Sequence, residues 1–161
     1  MLNIRRSTFE TNSSSSHSIT IPFPVVLNAS ELEVNDEGYI EISFCEFCGQ
    51  EHSTQMDRLA WLVQVIVNDK VERNAFWYHG NDERWHELES MLYATEDFQR
   101  LSAEIAEYVG CRGIRLAEYT SGYIDHESDY ETVDDFLDIY DVTATQFVFG
   151  DDIEMNFYFN G

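Results

Sequence analysis

The stretch Arg5–Thr20, RRSTFETNSSSSHSIT, decides how the N-terminal part of this chain is built. Four consecutive serines ordinarily mark a flexible tether. Here Glu10, Asn12 and His17 surround them, and a strand-like HSITI follows. Serine and asparagine side chains bond readily to their own backbone in consecutive turns. The segment therefore reads as an ordered turn joining a first strand, Leu2–Arg6, to a second, His17–Pro22.

Working outward, Pro22 and Pro24 end the second strand and open a connection. In GYIEISF, Gly38–Phe44, Tyr39, Glu41 and Ser43 alternate with Ile40, Ile42 and Phe44, the pattern of a half-buried strand. Thr54 starts a helix reaching about Asp69, with Met56, Leu59, Leu62, Val63 and Ile66 at helical spacing and Asp57 completing a capping box. Further helices are expected over Asp82–Tyr93 and Thr95–Val109, the latter stopped by Gly110. Ile114–Tyr119 returns to strand, Val133–Tyr140 is a short helix, and TQFVFG with IEMNFYF reads as an aromatic hairpin through Asp151 and Asp152. The expected fold is α+β, a single domain over residues 1–161. It has a mixed or antiparallel sheet, about three helices inserted mid-chain and a C-terminal β-hairpin.

Composition supports a folded chain. Hydrophobic residues make up 43% of its 161 residues and aromatics 14%, enough for a substantial core. No apolar run is long enough to span a bilayer, and no apolar leader stands at the start. Three cysteines without an export signal suggest reduced thiols and a cytoplasmic location.

Charge is the outlying property. Nine basic residues against 31 acidic ones give −22, and Lys70 is the single lysine. Such a surface disfavours direct binding to nucleic acid or anionic membrane and attracts a basic partner. A compact chain of this length is about 40 Å across. Duplex DNA of that length carries roughly 23 charges, close to the charge of the protein.

The acids are concentrated. No lysine or arginine follows Arg115, whereas Asp125, Glu127, Asp129 and Glu131 fall at every second position. In an extended segment these four share one face at about 6.6 Å spacing. Asp134, Asp135 and Asp138 follow on the Val133–Tyr140 helix. Like charges so arranged repel, and a basic partner would offset that cost.

Other constellations offer chemistry. Cys45 and Cys48, with His52 and the distant Cys111, supply four candidate zinc ligands, but a second CxxC is missing, so no metal or other cofactor is expected. Ser13, Ser14, Ser15 and Ser16 could cradle a phosphate with Arg5 or Arg6 nearby. His17 with Asp125 and His126 could serve as acid, base or ligand in phosphoester or nucleotide chemistry. The overall charge opposes a polyanionic substrate.

The motifs RRSTFETNSSSSHSI, FCEFCGQE leading into DRLAWLVQVI, and GYIDHES followed by FGDD resemble a family of small proteins from phages and mobile elements of Firmicutes. The matching pieces are Arg5–Ile19, Phe44–Ile66 and Gly122–Asp152. The resemblance implies a phage-type origin inside a bacterial host and no particular activity; the strong acidity departs from it.

Together these readings favour an inhibitor. A phage-encoded counter-defence protein of the anti-CRISPR type would imitate nucleic acid and block the binding channel of a basic host nuclease. Its contact face would be Asp125, Glu127, Asp129, Glu131, Asp134, Asp135 and Asp138. The alternatives are the phosphoester enzyme above and a virion or assembly component using the C-terminal hairpin as an intersubunit edge.

Overall fold

The computed structural model describes residues 4–11, 15–43, 50–51, 54–71, 82–118 and 132–159. Its centre is helix α1, Gln55–Ile66, which begins as the sequence dictates. The Thr54 hydroxyl accepts from the Asp57 amide at 3.1 Å, and the Asp57 carboxylate accepts from the Thr54 amide at 3.3 Å. Leu59 through Ile66 are all buried, so α1 is apolar nearly all round, as befits a central helix. Beyond Ile66 the backbone widens into a π-helical turn, Val67–Val71, where an uninterrupted α-helix to Asp69 was expected.

Helices α2, Asp82–Ala94, and α3, Glu96–Val109, follow. Thr95 caps α3 by accepting from the Phe98 amide, and Gly110 closes it in the left-handed conformation at φ 81°. Phe98, Leu101 and Ile105 form its buried stripe. Helix α4, Val133–Tyr140, is capped by a Thr132–Asp135 box and ends at Asp141, also left-handed at φ 53°. Phe136 is fully buried from α4 and meets Trp61 of α1 edge-on with ring centroids 6.0 Å apart.

The strands form two sheets. The larger is antiparallel, built from β1 (Ile4–Thr11), β2 (Ser15–Phe23), β4 (Gln50–Glu51) and β6 (Glu154–Phe159), in the order β1-β2-β6-β4. The smaller pairs β3 (Tyr39–Ile42) with β5 (Gly113–Leu116) in parallel, Ile40 opposite Ile114. Ile19 and Ile21 of β2, Ile40 and Ile42 of β3 and Met155 of β6 are fully buried and join one hydrophobic cluster with the helices. The architecture is α+β, as expected.

Two details differ from the sequence reading. The N-terminal strands are longer, with Thr11 opposite Ser16, so Ser15 and Ser16 belong to β2 rather than to the turn. The residues of TQFVFG from Thr145 to Phe149 are not a hairpin arm but most of helix α5, Ala144–Phe149. The Thr143 hydroxyl accepts from the Gln146 amide at 3.1 Å and Gln146 Oε1 accepts from the Thr143 amide at 2.9 Å, a capping box that overrides the strand preference of the aromatics. The following strand, β6, pairs antiparallel with β2 and β4 instead of with the residues just before it.

Candidate partner-binding face

The expected acidic ladder divides in two. Asp125, Glu127, Asp129 and Glu131, together with His126, lie outside the described residues. Asp134, Asp135 and Asp138 are exposed on α4, but two of them already serve the fold. Asp134 takes two hydrogen bonds from Arg100 of α3, at 2.9 and 3.3 Å, and Asp97 takes another from the same guanidinium at 2.6 Å. The bonds to Asp134, then those to Asp97, hold the Arg100 pKa above its ordinary value. Asp135 accepts from the Thr132 amide as part of the α4 cap. Asp138 alone of the three has no structural bond from its carboxylate among the described residues.

A larger set of carboxylates gathers elsewhere. It begins on the turn Asn35–Tyr39, whose shape is set by one side chain. Asn35 Oδ1 accepts from the amides of Glu37 at 3.0 Å and Tyr39 at 2.9 Å, while its amide group donates to Glu41 Oε1 at 3.0 Å. Gly38 takes φ 89°, a conformation open to glycine at little cost. The Arg112 amide donates to the Gly38 carbonyl and its guanidinium to the Glu37 carbonyl. Arg115 stacks over the Tyr39 ring at 3.8 Å and stands 3.9 Å from Glu37 Oε2.

Three open grooves are lined in part by this turn and the residues around it. The first, about 480 Å³, is lined by Asp36, Glu37, Glu41, Glu89 and Glu118 beside Trp85, His86 and Arg115. The second, about 430 Å³, shares Asn35 and Glu41 with it and adds Glu31 and Glu33. The third, about 370 Å³, shares Glu31 with the second and adds Asp151, Asp152 and Glu154. Linked through Asn35, Glu41 and Glu31, the three grooves are together lined by ten carboxylates.

The scaffold beneath this acidic band is firm. The Glu31 amide donates to Gln55 Oε1 at 2.7 Å, and the Gln55 side chain donates to the Ala29 carbonyl. Asn28 donates to Asp151 Oδ1 at 3.1 Å, and the Asp151 amide donates to the Val26 carbonyl. At the floor of the third groove Arg58, only 4% exposed, donates to the carbonyls of Val148 at 2.7 Å, Gly150 at 3.3 Å and Ile153 at 3.5 Å. Burial draws its pKa down to about 10, which leaves it charged at neutral pH. This cation completes the C-terminal end of α5 and the turn after it. Near the first groove the Tyr93 hydroxyl accepts from the Leu116 amide at 2.9 Å and donates to Glu89 at 3.1 Å; burial raises its pKa.

Sequence reasoning missed this band. The run Glu31–Glu41, ELEVNDEGYIE, holds five carboxylates and no base and was the available signal. The convergence of that run with Glu118 and with Asp151–Glu154 is a product of the fold.

The remaining candidates are scattered. Ser15 stands opposite Phe159, and Ser16 opposite both Thr11 and Tyr158, so Ser16 is laddered on two sides and is not part of a phosphate-cradling loop. Ser13 and Ser14 lie outside the described residues. His17 is placed in β2 opposite Glu10 and Phe157, while its proposed partners Asp125 and His126 lie outside the described residues. So do Cys45, Cys48 and His52. Cys111, partly buried after α3, directs its thiol at the Gly113 carbonyl at 3.7 Å. Among the described residues no group of three His, Cys, Asp or Glu side chains could hold a metal ion, and no helix is long and apolar enough to cross a membrane.

No family model matches the chain, and neither does any curated protein or solved structure.

Proposed function

We propose that this protein is an acidic inhibitor that imitates nucleic acid and occupies the binding channel of a basic nuclease. The observation that carries the reading is the set of ten carboxylates lining three neighbouring grooves that share Asn35, Glu41 and Glu31. Carboxylates held on a hydrogen-bonded turn and a firm floor offer a basic channel many charges at little ordering cost. The net charge of −22 supports the same partner class and opposes direct binding of nucleic acid. The phage-type origin that the resemblance implies, taken with the net charge of −22, makes a host RNA-guided nuclease in the bacterial cytoplasm the proposed target, and thus counter-defence the proposed role.

The contact face is the band, with Asp138 and the Asp125–Glu131 segment as further contributors. Inhibition of a purified RNA-guided nuclease, read as loss of DNA binding, is the direct test. The expected result is stoichiometric inhibition that weakens about ten-fold or more as salt rises from about 50 to 200 mM. Replacing Glu31, Glu33, Glu37 and Glu118 together by glutamine should leave the fold intact and abolish inhibition. Salt-independent inhibition, or full inhibition by that quadruple variant, would overturn the reading.

A further inference from the structure

We infer that the loop of residues 24–38 is a docking ledge for a basic protein segment that carries apolar side chains between its cations. The loop joins β2 to β3 and contains no helix or strand of its own. In a compact fold a loop of that length is ordinarily either functional or disordered. This one is held in place by three helices. The Asn28 amide donates to the Phe149 carbonyl of α5 at 2.8 Å, and the Asp151 amide donates to the Val26 carbonyl at 2.7 Å. The Tyr108 hydroxyl of α3 donates to the Asn28 carbonyl. Gln55 of α1 accepts from the Glu31 amide and donates to the Ala29 carbonyl.

The ledge borders all three grooves. Asn28 and Glu31 line the third, Glu31, Glu33 and Val34 the second, and Asn35, Asp36 and Glu37 the first. Its surface is mixed in character. Val25 and Leu32 pack against the core, whereas Val26, Leu27 and Val34 are 59%, 44% and 44% exposed. Five large apolar side chains are exposed among the described residues, and these are three of them. A single exposed apolar side chain is ordinary, but three on one pinned loop beside binding grooves make a contact surface. Val34 stands in the wall of the second groove, and Val26 is bonded to Asp151 in the wall of the third.

Charge selects the occupant. The loop carries Glu31, Glu33, Asp36 and Glu37 and no lysine, arginine or histidine. A second copy of this chain, at −22, is repelled, and so is an anionic membrane. A basic segment with interspersed apolar residues meets both features: the acids steer and hold its cations while Val26, Leu27 and Val34 cover its apolar side chains. The ledge thereby tells such a partner from a merely polycationic one. The inference rests on the inhibitor reading for which protein supplies the segment, and not for the chemistry of the segment.

Calorimetric titration of the full chain with two synthetic peptides tests it. Both carry the same number of arginines, alternating with leucine in one and with serine in the other. At about 150 mM salt the leucine peptide should bind about ten-fold more tightly. Raising salt to about 300 mM should weaken both and keep their ratio, because only the ionic part is screened. Val26→Ser/Leu27→Ser/Val34→Ser should bring the two peptides within about two-fold of each other, with the urea midpoint confirming the fold. Glu31→Gln/Glu33→Gln/Glu37→Gln should instead weaken both peptides and retain the preference. A wild type with no preference for the leucine peptide, or a preference that survives the triple serine variant, would overturn the proposal. So would a wild-type mass of two chains in light scattering that the serine variant halves, since the ledge would then belong to a second copy. Failure to inhibit a nuclease alongside an intact leucine preference would sink the inhibitor and leave the ledge standing.

Discussion

Arg100 of α3 and Asp134 of α4 are joined by two hydrogen bonds, so the first carboxylate of α4 is already matched inside the protein. It is an internal strut between helices before it is a charge offered to anything else. The side chains are about half exposed, at 50% and 55%, which limits what the pair contributes. Asp134→Asn should therefore cost below about 1 kcal/mol in urea denaturation. Inhibition of a nuclease should be unchanged. Abolished inhibition from this single change would move the contact face back to α4.

Arg58 is a different matter, because its donors serve buried carbonyls. Arg58→Met fills similar space but leaves the carbonyls of Val148, Gly150 and Ile153 short of donors. The expected loss is about 3 kcal/mol, read from the urea midpoint at constant slope. A variant as stable as the wild type would show that the guanidinium is not needed to close α5.

Tyr93 links stability to pH. Its hydroxyl bonds the Leu116 amide and Glu89, so Tyr93→Phe should cost about 1–2 kcal/mol at neutral pH. Burial raises the native phenol above its ordinary value of about 10. Between that value and the raised one the unfolded chain has lost the proton while the native state keeps it. Stability of the wild type therefore falls as pH rises through that window, and the phenylalanine variant escapes this component. The gap between the two should narrow above about pH 10 in denaturation series. A gap that widens there would contradict the sign.

Gly38→Ala tests the turn that presents the acids. A methyl group there would need φ 89° and would sit 2.9 Å from Cδ of Arg112. The expected cost is about 1–2 kcal/mol in thermal or urea unfolding. An unperturbed variant would mean that the Asn35–Tyr39 turn adopts another conformation.

Local signals were legible, and long-range ones were not. Thr54 with Asp57, Thr95 with Gly110, and Val133–Tyr140 could be read because caps and helical spacing act within a few residues. Residues 144–149 were misread because aromatic strand preference hid the Thr143–Gln146 box. The parallel pairing of β3 with β5 depends on partners far apart in the chain, which no local pattern encodes. The same distance conceals the acidic band, which draws on Glu31, Glu118 and Glu154. In sequence Arg58 reads as an ordinary helix-surface charge beside Asp57; only the approach of α5 makes it a buried one.

The strand order β1-β2-β6-β4 also dictates a schedule. Strands β1 and β2 can zip together as soon as they are made, since only three residues separate Thr11 from Ser15. The groove between β2 and β4 stays vacant until β6 has been synthesised, because Ile19 takes Met155 as its partner and Gln50 takes Phe157. During that interval the helices have formed while one edge of β2 lacks its hydrogen-bonded neighbour. The nascent chain thus passes through a stage that is sticky along one strand, and its assembly should be slow relative to helix formation. High negative charge then has a second use: it keeps neighbouring nascent chains apart while the last strand arrives.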